Sequence, residues 1–152
     1  MKLIFAVISL IICVFLGYIF SLKYTNRKKF YQEFEKFNNN VKNEVKFSQN
    51  SILHVIKQLN ATTDFNKKTK DIMLNQKKYN ISYLSKDENQ FYVNYLDSIG
   101  KTDKQSQTEY LEFAGQTIID NLKNATELEK KYKPLCIKLG FFLGLVILIL
   151  LL

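Results

Sequence analysis

The sequence predicts an all-α fold, and three observations carry that expectation. The chain has 152 residues with one proline and five glycines, too few turn formers for a many-stranded sandwich or barrel. Its apolar residues gather at the two ends and leave a polar centre rich in Lys and Asn, the layout of a membrane protein with a soluble middle. Within that centre the apolar residues recur at steps of three and four, the period of one helix face. The length suits one soluble domain. The expected organisation is a transmembrane helix over residues 3–20, a cytoplasmic helical domain over 21–134 and a second transmembrane helix over 135–152.

Residues 3–20 form an apolar run broken only by Ser9, Gly17 and Tyr18. As a helix it is about 27 Å long, close to the roughly 30 Å hydrocarbon core. Ser21-Leu22-Lys23 offers no small-residue cleavage site, so an uncleaved span is expected rather than a secretory signal. Phe30, Phe34, Phe37, Val41 and Val45 then mark one helix face with no Pro or Gly between them, so the span is expected to run on into the soluble part. Such an aromatic stripe reads as packed core.

Ser51 can cap a second helix bearing Ile52, Val55, Ile56 and Leu59. A third, with a sparse stripe of Phe65, Ile72 and Tyr79, is expected to start at Asp64. Ser85-Lys86-Asp87-Glu88 fits a capping box and opens a helix with Phe91, Tyr92, Tyr95, Leu96 and Ile99, stopped by Gly100 in a left-handed conformation. Thr102-Asp103-Lys104-Gln105 fits T-x-x-Q and is expected to open the longest helix. Its seam of Leu111, Ala114, Ile118, Leu122, Ala125, Leu128 and Tyr132 is spaced like a coiled coil and is expected to end at Pro134. The apolar tail after it spans a bilayer if Lys138 extends its amine to the headgroups. A span ending at Leu152 is expected to leave no output domain beyond it.

Lys23, Arg27, Lys28 and Lys29 follow the first span, and Lys130, Lys131, Lys133 and Lys138 precede or enter the second, against Lys2 alone on the far side. The positive-inside rule therefore places the soluble domain in the cytoplasm, which makes the sequons at Asn60, Asn80 and Asn124 chance matches. The chain carries 22 basic and 14 acidic residues for a net charge of +8. With Arg27 the single arginine it lacks the bidentate donor that reads guanine and phosphate, and no nucleic-acid partner is expected. Cys13 and Cys136 sit in or beside the apolar ends and read as small hydrophobes, not as a disulfide framework.

No phosphate loop, dinucleotide fingerprint or Cys/His metal spacing occurs. The lone histidine, His54, has no accompanying nucleophile motif, and Glu33 with Glu35, or Glu127 with Glu129, point to different helix faces. No catalytic residue, cofactor or metal is expected, so the chain is read as not an enzyme. Gly140-Phe141-Phe142-Leu143-Gly144 is a G-x-x-x-G in an apolar run, and Gly140 and Gly144 are candidates for close helix packing.

Leu96, Gly100, Thr102, Asp103 and Gln107 fit the pattern L-x-x-x-G-x-[ST]-D-x-x-x-Q, and Lys138-Leu139-Gly140 leads through Gly144-Leu145 into terminal aliphatics. In these stretches the chain resembles the stage III sporulation protein AB family. Asn43-Glu44-Val45-Lys46-Phe47 and Ser51-Ile52-Leu53 look like that family's first-half segment, although a proline usual after Gln49-Asn50 is missing. The resemblance implies a soluble domain similar to the cytoplasmic domains of type II secretion and type IV pilus platform proteins. It also implies a structural role in the channel complex between mother cell and forespore. On that reading the chain sits in the outer forespore membrane and faces the mother-cell cytoplasm. Its implied partners are the lipid bilayer and the other stage III sporulation A-operon proteins, including a secretion-type ATPase. Gly100, Lys101, Asp103 and Gln107 become the candidate docking residues. A membrane-tethered helical sensor and a basic tether to anionic membrane surfaces are the competing readings.

Overall fold

The computed structural model describes residues 2–47, 56, 59, 62–75 and 80–151. Among these residues there is no strand, and the helices in chain order are α1 (Lys2–Phe47), α2 (Asp64–Asn75), α3 (Lys86–Ser98) and α4 (Lys104–Leu151). The observed class is all-α. The chain divides into two compact units, one made of Met1–Lys28 with Asn124–Leu152 and the other of Lys29–Lys123.

The unit over Lys29–Lys123 is organised by aromatic rings. Phe30, Tyr31, Phe34 and Phe37 of α1 are buried together with Phe65 of α2 and Tyr92 and Tyr95 of α3. Phe34 stands edge-on to Tyr95 at 4.8 Å between centroids, and Phe30 edge-on to Tyr92 at 5.0 Å, the arrangement favoured by ring quadrupoles. Val41 of α1, Leu111, Ala114 and Ile118 of α4, and Ile56, Ile81, Leu84, Leu96 and Ile99 add aliphatic side chains to the interior.

Each buried tyrosine hydroxyl finds a polar partner. Tyr31 donates to Glu88 at 2.7 Å, Tyr95 donates to the Asn38 carbonyl oxygen at 2.9 Å, and the Tyr92 and Thr69 hydroxyls share a bond of 2.8 Å. Burial pushes the Tyr92 and Tyr95 hydroxyls well above the ordinary tyrosine range, so both stay protonated donors. Asn38 also donates from Nδ2 to the Leu111 carbonyl at 3.2 Å, tying α1 to both α3 and α4. Gly115 makes room for it, because a Cβ there would lie 2.8 Å from Asn38 Nδ2.

The helix starts follow local chemistry. Thr63 accepts the Asn66 N–H at 3.2 Å and opens α2. Ser85 and Glu88 form the complete capping box expected of them, with Ser85 accepting from the Glu88 N–H and Glu88 accepting from the Ser85 N–H. Between α2 and α3, the Asn89 side chain accepts from the Ile81 N–H at 2.8 Å and donates to the Ile81 carbonyl at 3.1 Å, which fixes the loop under α3.

In the other unit, the paired ends of α1 and α4 are long and apolar enough to cross a membrane. Phe15, Phe20, Phe142 and Ile149 turn large apolar side chains outward, the surface expected of helices whose solvent is lipid.

Two expectations about α4 need correction. Pro134 does not end it, since α4 continues to Leu151 with Pro134 inside. A proline removes one backbone donor and leaves the carbonyl four residues back unpaired. At Pro134 the residue is exposed and α1 holds the helix on both sides, through Tyr24 stacked on Tyr132 and through Gly17 against Cys136. The second correction concerns the start of α4. Asp103, not Thr102, is the cap, accepting from the Gln105 and Ser106 N–H groups at 3.1 Å each. A carboxylate gains more than a hydroxyl from the positive end of a helix. The helix expected from Ser51 falls mostly outside the described residues, as do His54 and Tyr79; Ile56 is described and buried.

Candidate functional site

Two places gather the residues singled out in the sequence, one in each unit. The first is the turn joining α3 to α4. Ile99 caps α3 with its N–H on the Tyr95 carbonyl at 3.2 Å. Gly100 follows at φ 82, a left-handed conformation that costs roughly 1–2 kcal/mol for a residue with a Cβ. Its N–H donates to Gln107 Oε1 at 2.9 Å, and the Thr102 hydroxyl donates to the same oxygen at 3.3 Å. Gln107 is only 2% exposed. It therefore lies inside the turn, cross-linking it, and does not belong to the outer surface.

Gly100, Lys101, Thr102 and Asp103 are all exposed, and Lys101 and Asp103 are the charged ones among them. Lys101 pairs with Asp97 at 2.8 Å, one helical turn back. Asp103 is held below the ordinary aspartate range, chiefly by its side-chain hydrogen bond with Ser106. Asp103 therefore stays a carboxylate at neutral pH, serving as the cap of α4.

The second place is the line where the two apolar helices meet. Cys13, Gly17 and Ser21 lie four residues apart on α1, as do Cys136, Gly140 and Gly144 on α4. A Cβ added to Gly17 would stand 2.6 Å from the Cys136 carbonyl oxygen and 3.3 Å from the Gly140 Cα. One added to Gly140 would stand 2.6 Å from the Cys13 carbonyl oxygen, and one on Gly144 would stand 3.1 Å from the Leu10 Cα. Backbone thus lies directly on backbone, which only small residues permit. Gly140 and Gly144 face α1 of the same chain. Gly17 is their counterpart and was not singled out from the sequence; its spacing from Cys13 and Ser21, matched on the opposite run, was the available signal.

Polar groups finish this contact at its Thr25–Glu129 end. Glu129 of α4 accepts from Lys28 at 2.9 Å and from the Thr25 hydroxyl at 3.0 Å, both on α1, with Lys133 a further 3.6 Å ion-pair partner. Its side chain is 12% exposed, and the Lys28 hydrogen bond is the main reason that its carboxyl is held below the ordinary glutamate range. Tyr24 and Tyr132 stack beside it at 5.3 Å. Aromatic rings and lysines at this level of a helix pair are the usual furniture of a membrane–water interface.

No group of three or more His, Cys, Asp or Glu side chains able to hold a metal lies among the described residues. Both cysteines are free thiols, Cys13 buried and Cys136 half-buried. At these two places the described residues pack, cap helices and form ion pairs.

Comparison with known proteins agrees with the resemblance carried by the turn and the terminal run. Searches of curated proteins and of solved structures gave no match. A family model for stage III sporulation protein AB matches residues 2–152, which takes in both apolar helices and the turn at Gly100. The chain therefore belongs to the stage III sporulation protein AB family.

Proposed function

We propose that this sporulation protein is a structural, non-catalytic subunit of the channel complex built between mother cell and forespore during endospore formation. In this reading α1 and α4 anchor it in the outer forespore membrane, and the aromatic unit faces the mother-cell cytoplasm. There it docks other stage III sporulation A-operon proteins, a secretion-type ATPase among them. The observation that carries the reading is family membership over residues 2–152. It is supported by two helices apolar enough to cross a membrane and by the lysines that flank them on one side.

The docking surface belongs at the α3–α4 turn, with Lys101 and Asp103 making the contact and Gly100 and Gln107 holding its shape. Lys101→Glu is the sharpest probe, because an exposed pair such as Lys101–Asp97 contributes at most about 1 kcal/mol to folding. Full-length chain purified from sporulating cells should bring down the other operon proteins, and Lys101→Glu should lose them while melting like the native chain. Unchanged recovery would remove the turn from the interface, and failure of the native chain to recover any of them would remove the channel role. For orientation, Thr108→Cys in a chain lacking Cys13 and Cys136 should resist a membrane-impermeant thiol reagent in intact cells. Prompt labelling would reverse the topology.

A further inference from the structure

We propose that the paired apolar helices hold one anionic phospholipid, its acyl chain in a trough between them and its phosphate on Lys23. The inference rests on the membrane reading of α1 and α4. A cavity of about 470 Å³ opens along their contact line, within the roughly 300–1,000 Å³ range of small-molecule sites. The Gly17–Gly140 contact, backbone against backbone, closes its floor, and its rims are Leu16, Phe20, Leu139 and Leu143. Phe20, Leu139 and Leu143 project well away from the protein.

Length and polarity point to the same occupant. The trough reaches from Cys13 to Lys23, ten residues, and so extends about 15 Å along α1. That is half of the roughly 30 Å hydrocarbon core, the depth of one leaflet. Apart from the weakly polar Cys13 and Cys136 thiols its lining is apolar until the end, where Lys23 and Tyr24 stand. An occupant must therefore be an amphiphile with a leaflet-long tail and a negative head, and a free phosphate would find nothing along the trough to bind.

The charges around the mouth favour an anion. Lys23 is exposed and has no carboxylate partner among the described residues. The neighbouring carboxylate, Glu129, is already engaged by Lys28, Thr25 and Lys133. A further transmembrane helix is a poorer fit, because the small residues that would admit one are covered by the opposing backbone.

The test uses the full chain reconstituted in vesicles of equal parts phosphatidylcholine and phosphatidylglycerol. The vesicles are washed with carbonate and extracted into mild detergent, and retained lipid is counted by native mass spectrometry. Phosphatidylglycerol should be retained over phosphatidylcholine by about fivefold, the value of one well-placed lysine at a membrane surface. Lys23→Gln should abolish that preference and Lys23→Arg should keep it. Leu143→Trp, which fills the trough, should lower retention of both lipids, and Lys138→Gln, outside the lining, should change neither. Equal retention of the two lipids by the native chain, or an unaltered preference in Lys23→Gln, overturns the proposal. Recovery of lipid-free dimers would overturn it in favour of a second copy. A chain removed by carbonate defeats the membrane reading itself, whereas an inserted chain without lipid preference defeats only the lipid site.

Discussion

The two units are held together by opposite means. Over Lys29–Lys123 the helices are kept apart by large rings, and cohesion comes from withdrawing those rings from water while each buried hydroxyl keeps a partner. In the unit made of Met1–Lys28 and Asn124–Leu152, cohesion comes from the absence of side chains, with Gly17, Gly140 and Gly144 letting backbones touch. The contrast follows from the solvent. Water rewards burial of an aromatic ring by roughly 1.5–3 kcal/mol, whereas lipid rewards no apolar burial between helices and leaves close packing as the main attraction. One continuous helix, α1, therefore carries a large-residue code over its second half and a small-residue code over its first.

The largest effect should come from emptying the aromatic unit. Phe34 is fully buried and touches rings from three helices, so Phe34→Ala should cost about 3–5 kcal/mol. Thermal melting should show it, with the amount of chain in the membrane fraction unchanged. A drop in membrane fraction would mean that the two codes are not separable.

Gly140→Leu attacks the other code. The added side chain meets backbone on α1, and overpacking of this kind costs about 1–3 kcal/mol even though hydropathy rises. Insertion should be normal and recovery of partner proteins reduced. Equal recovery would make the glycine contact dispensable for assembly.

Gly100→Val should cost about 1–2 kcal/mol from backbone strain alone, read as a lower melting temperature. It should also expose the buried Gln107, because the N–H that Gln107 accepts from would move. Faster hydrogen exchange at residues 99–103 would report this, and native exchange rates would dismiss the strain.

The smallest effect concerns acid. Glu129 is held below the ordinary glutamate value of 4.5 by Lys28, so its contribution is complete above that value and disappears as pH falls through the lower folded-state value. The pair is partly buried, Lys28 30% and Glu129 12% exposed, and about 1 kcal/mol is expected. Melting of the native chain should drop toward that of Glu129→Gln between pH 5 and about 3, and parallel curves would assign the acid sensitivity elsewhere.

Most of the fold was legible because its signals are local. The stripe Phe30, Phe34, Phe37 and Val41 became core, the Ser85 capping box formed, and Gly100 adopted positive φ. What was not legible depends on tertiary partners. Thr102 and Asp103 are both good caps, and the Thr102 hydroxyl is engaged by Gln107 instead, which leaves the cap to Asp103. Pro134 reads as a stop in isolation and is carried through by contacts with α1. Of the candidate docking residues, the sequence pointed to the turn but not to which members face outward, because Gln107 is as polar as its exposed neighbours. Asn38 was passed over in an Asn-rich stretch, although it lies four residues after Phe34 and three before Val41, on the buried stripe.

Gly115 and Asn38 also constrain how this sequence can drift. A glycine in mid-helix is disfavoured by about 1 kcal/mol relative to alanine, so alanine at 115 is the change that helix propensity alone would select. With Asn38 in place that step meets an amide nitrogen already committed to the Leu111 carbonyl, and the gain is withheld. Asparagine must shrink first, passing through a state in which the Tyr95 hydroxyl has lost its acceptor. The two positions form a mutational ratchet, in which the order of substitution decides whether the path is open, and α1 and α4 keep a shared history at this crossing although 77 positions separate the two residues in the chain.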